Sequence, residues 1–127
     1  MNLAERTFVI GDIHGCLNKL ELLWDKIDPR PGVDQVVFLG DYIDRGENSS
    51  GVVDYLLQLK RTHTDTVFLM GNHEKMFIDF LSGVEQALFI YNGGESTLRS
   101  YLVRMENFWD KRQGVLDEET LNQLMMN

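Results

Sequence analysis

Three short apolar runs, Phe8-Val9-Ile10, Val36-Val37-Phe38-Leu39 and Val67-Phe68-Leu69-Met70, each lead straight into a glycine, and their spacing constrains the fold more than any other feature. Each is too short for a buried helix and reads as a strand buried on both faces. Between the first two, Leu17, Leu20, Leu23, Trp24 and Ile27 recur at helical spacing, and Pro29 and Pro31 end that helix. Between the second and third, Ser49 or Ser50 is placed to cap a helix with apolar positions Val52, Val53, Leu56, Leu57 and Leu59. Strand, helix, strand, helix, strand at about 30 residues per unit is the pattern of right-handed βαβ crossovers and a parallel sheet. The class is α/β.

After Met70 the pattern turns helical. Met76, Phe77, Phe80 and Leu81 form one stripe, and Leu98, Tyr101 and Leu102 form another beyond a turn at Gly93-Gly94. Asp117 reads as the N-cap of a last helix through Leu121, Leu124 and Met125. No repeat, low-complexity tract or linker interrupts residues 1–127, so the chain is expected to form one domain, and its 43% hydrophobic content supplies a core. A formal charge of -8 argues against partners gripped through a nucleic-acid backbone, which call for a basic face. Cys16 is the one cysteine, which rules out an intrachain disulfide and suits a reducing cytoplasm; it reads as a small buried residue at a helix start, without chemistry of its own. The N-terminus has no signal-peptide core and no stretch nears the ~20 apolar residues of a membrane span, so a soluble, cytoplasmic protein is expected.

The loops that follow the strands carry the chemistry. They are Gly11-Asp12-Ile13-His14-Gly15, Gly40-Asp41-Tyr42-Ile43-Asp44-Arg45-Gly46 and Gly71-Asn72-His73-Glu74. In a parallel sheet all three leave the carboxyl edge, where open α/β sheets bind ligands. One Gly-Asp turn alone is ordinary loop chemistry. Three in register, each presenting Asp, His or Asn, point to a metal site. The oxygen and imidazole donors suit Mn²⁺, Fe or Zn²⁺. Asp12, His14 and Asp41 could hold a first ion, and Asp41 with Asn72 a second, at the ~3.5–4 Å separation of two-metal hydrolytic sites. A water bridging the pair would ionise near neutral pH and attack phosphorus in line. Arg45 offers a planar fork to phosphate oxygens, or else a loop salt bridge with Asp44. His73 can protonate a leaving oxygen, with Asp44 as the carboxylate that orients it.

These three loops resemble, at every signature position and in the same order, the motifs of the phosphoprotein phosphatase family within the calcineurin-like metallophosphoesterases. The resemblance spans Thr7 to Leu102, and the segment Asn92-Gly93-Gly94 with Thr97-Leu98 is similar to bacterial members. It implies the βαβαβ parallel-sheet half of a metallophosphoesterase β-sandwich with flanking helices, dependent on two divalent ions. It implies hydrolysis of phosphomonoesters on phosphorylated proteins, typically at serine and threonine, with a related branch that cleaves dinucleoside tetraphosphates. By the same resemblance Asp12, His14, Asp41 and Asn72 are ligands, His73 the acid, Asp44 its partner and Arg45 the phosphate clamp. Family members are longer and draw two more histidines for the second ion from their second half. The histidines here are His14, His63 and His73. His63 precedes the third strand and is expected at the opposite edge of the sheet, as a surface loop residue. The chain is thus expected to hold the amino-terminal half of the site, with a metal- or phosphate-binding module without turnover as the alternative. A sheet face left uncovered would favour a homo-oligomer.

Overall fold

The computed structural model describes residues 3–111, with side chains described to residue 107. Strands β1 (Thr7–Ile10), β2 (Gln35–Phe38) and β3 (Val67–Phe68) form one parallel sheet in the order β1-β2-β3. Ile10 lies opposite Phe38, and Phe38 opposite Phe68. Helix α1 (Leu17–Ile27) connects β1 to β2, and α2 (Ser49–Thr62) connects β2 to β3. A sheet in sequential order with right-handed crossovers places both helices on one face, and α1 and α2 pack on each other.

Burial follows from that topology. Ile10, Val36 and Phe38 point at the helices and bury against Leu20, Trp24, Val52, Leu56 and Leu59. Phe38 stacks between Trp24 (ring centroids 6.2 Å apart) and Phe68 (5.1 Å). The alternate positions face away: Val9 is 61% and Val67 41% exposed. The expectation of strands buried on both faces is therefore corrected. One face is core, and the described residues put no layer on the other. The third strand is also shorter than its apolar run, since Leu69 and Met70 lie beyond its ladder, at 46% and 65% exposure.

Helix boundaries are set locally. Helix α1 stops at Asp28, whose backbone is left-handed (φ 40°) and whose N–H reaches the Trp24 carbonyl; Pro29 then has no N–H with which to continue. The cap of α2 is Asn48, not Ser49 or Ser50: its Oδ1 accepts from the Gly51 N–H at 2.9 Å. The two serines form the first turn of α2 and are buried. Past the sheet come α3 (Asn72–Leu81), α4 (Gln86–Phe89), a π-type turn (Ile90–Gly94) and α5 (Glu95–Lys111). Phe77 and Phe80 pack on the fully buried Phe89, with centroids 5.1 and 5.0 Å apart. Leu81 and Leu102 fall outside their expected stripes and face solvent. The helix expected after Asp117 lies outside the described residues. Among the described residues no helix is long and apolar enough to cross a membrane.

Candidate active site

The three loops converge because the backbone laces them together. Ile13 and His14 both donate their N–H to the Asp41 carbonyl at 3.0 Å, and Gly15 donates to the Tyr42 carbonyl at 2.9 Å. Two glycines are required by this closeness: a Cβ on Gly46 would strike the His14 carbonyl, and one on Gly71 would strike the Asp41 carboxylate. His14, Asp41, Asp44 and Arg45 hold φ at 44°, 57°, 74° and 70°. Left-handed backbone at non-glycine residues costs about 1–3 kcal/mol each and persists only where surrounding structure enforces it. The strain collects where the sequence places the chemistry.

Glu74 binds the second loop to the third. One of its oxygens accepts from the N–H groups of Asp41 (2.6 Å) and Gly71 (2.9 Å), and the other from that of Tyr42 (3.0 Å). The Asp41 Oδ1 in turn accepts from the His73 N–H at 3.1 Å. The Tyr42 hydroxyl donates to the Leu69 carbonyl at 2.6 Å. Its pKa is pushed up to about 12, first by burial and then by the charges of Glu74 and Asp41, so it serves only as a neutral donor.

Potential ligand atoms of His14, Asp41 and His73 all lie within 4.8 Å of one another. The Nδ1 of His14 is 2.8 Å from the Ile43 carbonyl. A carbonyl only accepts, so Nδ1 carries the proton and Nε2 keeps its lone pair, the arrangement typical of metal-ligating imidazoles. Asp12 stands outside that tight cluster, but its Oδ2 is 3.7 Å from the His14 Nε2. Ligand atoms each ~2.0–2.2 Å from one ion lie at most about 4.4 Å apart, so the Asp12 and His14 atoms fit one divalent cation as they stand. Asn72 lines the same cleft of about 670 Å³, with Asp12, His14, Asp41, Arg45 and His73.

Within the cluster, the other ring nitrogen of His73 is engaged: its Nδ1 sits 2.7 Å from the Asp44 Oδ2, and Asp44 is fully buried. Arg45 is exposed and makes no ion pair among the described residues, so the salt bridge with Asp44 does not form. Its backbone N–H is held by the Gly93 carbonyl at 3.1 Å. His63 stays apart: its Nε2 is 3.0 Å from the Pro29 carbonyl, its Nδ1 2.8 Å from the Thr62 hydroxyl, and its ring edge-on to Trp24. It is a half-buried cap joining the ends of α1 and α2 rather than a bare loop residue. Cys16 is half-buried, its thiol 3.5 Å from the His14 carbonyl.

Sequence reasoning named Thr97 only within a segment similar to bacterial members and Ser49 only as a possible helix cap, and missed both as partners of Asp44. The Thr97 hydroxyl lies 2.6 Å from the Asp44 Oδ1, and both the Thr97 and Ser49 hydroxyls approach the Asp44 N–H, at 2.8 and 3.1 Å. A buried carboxylate needs such partners, but nothing in a linear sequence pairs position 44 with position 97. Glu74 was legible only as the last letter of a motif.

A fold with this ligand-bearing edge defines a class, and the chain belongs to it: residues 5–126 match the calcineurin-like phosphoesterase family. A relative is serine/threonine-protein phosphatase 1 of Salmonella typhimurium, 37% identical over 90 residues, which cover 69% of this chain and 38% of that protein. Another is the symmetrical bis(5'-nucleosyl)-tetraphosphatase of Glaesserella parasuis, 32% identical over 79 residues, 62% of this chain and 28% of that protein. Among solved structures, a protein serine/threonine phosphatase from Saccharomyces cerevisiae superposes with a TM-score of 0.50 at 31% identity, over 53% of this chain and 22% of that one. The match thus spans little more than a third of the longer-matched relative's length.

Proposed function

We propose that the chain carries the metal- and phosphate-handling edge of a phosphomonoester hydrolase of the protein serine/threonine phosphatase type. The observation that supports this most is the buried His73–Asp44 pair, 2.7 Å apart, whose imidazole shares one cleft with His14, Asp41 and Arg45, the last without an ion-pair partner among the described residues. Divalent ions held by Asp12, His14, Asp41 and Asn72, with Mn²⁺, Fe or Zn²⁺ matching the donors, would supply Lewis-acid polarisation and water activation. The remaining work falls to side chains. Arg45 presents its fork of N–H donors to the equatorial phosphate oxygens, where negative charge spreads in the transition state. His73, its Nδ1 turned to Asp44, would give an Nε2 proton to the leaving oxygen as the P–O bond breaks. The ionised Asp44 holds Nδ1–H and stabilises the imidazolium before transfer.

A second reading, symmetrical cleavage of dinucleoside tetraphosphates, is supported by the Glaesserella parasuis relative. The two separate on substrate. The purified natural protein, with Mn²⁺, should hydrolyse p-nitrophenyl phosphate and a phosphothreonine peptide. A kcat/KM on diadenosine tetraphosphate ~100-fold above that on the peptide would favour the second reading. Metal binding without turnover of any of the three would overturn both and leave a binding module.

A further inference from the structure

We infer that Thr97, at the start of α5, is a positioning residue for the His73–Asp44 pair, acting directly through its hydroxyl, with the Ser49 oxygen beside it. This rests on the phosphomonoesterase reading given above. Asp44, Ser49 and Thr97 are all fully buried. The protons in this group can be assigned. An ionised carboxylate has none to give, so the Thr97 hydroxyl donates to the Asp44 Oδ1 at 2.6 Å. Its oxygen accepts from the Asp44 N–H at 2.8 Å, and the Ser49 Oγ, 3.1 Å away, stands as a second acceptor for the same Thr97 proton. The Asp44 N–H is shared with the Ser49 oxygen at 3.1 Å. With Oδ1 held by Thr97, Oδ2 is left for the His73 Nδ1 at 2.7 Å. One hydroxyl thus fixes both the left-handed backbone of Asp44 (φ 74°) and the plane of its carboxylate.

The same stretch of chain holds the rest of this loop. The Gly93 carbonyl takes the Arg45 N–H, and Gly93 (φ 97°) has no Cβ to strike the Arg45 side chain. Ser100, one helical turn past Thr97, accepts from the Ser50 N–H at 3.0 Å, satisfying an otherwise orphan donor in the first turn of α2. Helix α5 therefore grips the strand-to-α2 loop from outside, and Thr97 is where that grip reaches the acid.

Removing the hydroxyl while keeping the shape leaves the buried Oδ1 without a partner, so the carboxylate is free to turn. His73 then loses an oriented anion. A group needed only to protonate the leaving oxygen matters most when that oxygen is a poor leaving group. Thr97→Val should lower kcat on phenyl phosphate or a phosphothreonine peptide by ~10- to 100-fold, the usual range for lost outer-shell partners. On p-nitrophenyl phosphate, whose leaving group needs no proton, the loss should stay under ~3-fold, with KM unchanged on both. Thr97→Ser should restore the selectivity of the parent. Equal losses on both substrates, or a Thr97→Ser variant as impaired as Thr97→Val, would overturn the inference.

An arm independent of turnover separates this failure from failure of the functional reading. With Zn²⁺ as the ion, the His73 Nδ1–H, identified by its absence in His73→Asn, should give a downfield proton resonance that Thr97→Val shifts upfield or broadens away. Persistence of that resonance unchanged would overturn the positioning role even in a protein that hydrolyses nothing. Should Thr97→Val fail to fold, Thr97→Cys keeps the shape with a weaker donor and should show the same changes at intermediate size; a parent-like Thr97→Cys would overturn the positioning role.

Discussion

At the scale of single residues, the candidate site is a set of side chains whose second polar atom is already committed. His14 donates Nδ1–H to Ile43, His73 pairs through Nδ1 with Asp44, and Asp41 Oδ1 takes the His73 N–H. Each is thereby aimed through its remaining atom, which is how rigid sites hold an ion or phosphate without reorganising. Asp12→Asn and Asp41→Asn should each weaken Mn²⁺ binding at least ~10-fold by titration calorimetry, because an amide lacks the charge of the carboxylate. Unchanged affinity in both would refute the assignment. His63→Ala should leave that affinity untouched and instead lower the melting temperature, since its ring contacts Trp24 and Pro29 at the other end of the helices. Gly71→Ala should impair the site without touching a ligand. The added methyl meets Asp41 side-chain and backbone atoms and must push the second loop away from the third.

At the scale of elements, the strand ends opposite the site are tied by ions. Asp34, buried ahead of β2, takes Arg6 at 2.7 Å and the Arg30 N–H at 2.9 Å, while Arg30 also reaches Glu5. The Arg6 guanidinium, then the Arg30 N–H, hold its carboxyl well below the usual carboxylate range. A folded pKa depressed below the unfolded one stabilises at pH above the unfolded value near 4, and that stability is lost as pH falls toward the folded value. Asp34→Asn should therefore melt several degrees below the parent at pH 7, with the gap closing below about pH 4 in thermal scans. A gap independent of pH would show that packing, not charge, holds this end. Helix α5 belongs to the same scale: its hydroxyls at Thr97 and Ser100 replace water as partners for the start of α2.

At the scale of the whole molecule, two quantities stand out. The first is the sheet face that the described residues leave bare at Val9 and Val67, together with Leu39, Leu69 and Met70 just past the strand ends, all more than a third exposed. Apolar patches beyond a few hundred Å² are uncommon on monomers. The 127-residue chain by itself should self-associate at tens of micromolar and bind a hydrophobic dye, and Leu69→Lys with Val9→Lys should reduce both. A clean monomer by sedimentation with no dye binding would contradict this. The second is the ligand count. On the proposed assignment Asp12, His14 and Asp41 would offer three protein ligands to one ion, whereas Asp41 and Asn72 would offer two to another, below the three usual at catalytic zinc. Calorimetry on this chain should find one strong Mn²⁺ site and a second at least ~100-fold weaker.

Periodicity and local chemistry were enough to determine the βαβαβ order, the shared edge for the three loops and the identity of the side chains on them. Those features depend on residues near one another in sequence: a short apolar run, a glycine where the chain turns, an aspartate or histidine directly after it. Tertiary structure decided what depends on distant residues. Among the described residues it left one sheet face bare, because two crossovers on the same side cannot cover both. It moved the cap of α2 from the serines to Asn48, because Ser49 and Ser50 are drawn inward by Thr97 and Ser100. It turned His63 into a cap between helices and gave Glu74 its three backbone donors. Above all it brought Thr97 to Asp44 across 53 positions, since the partner of a buried carboxylate is chosen by which hydroxyl the packing of α5 delivers, and no local pattern encodes that choice.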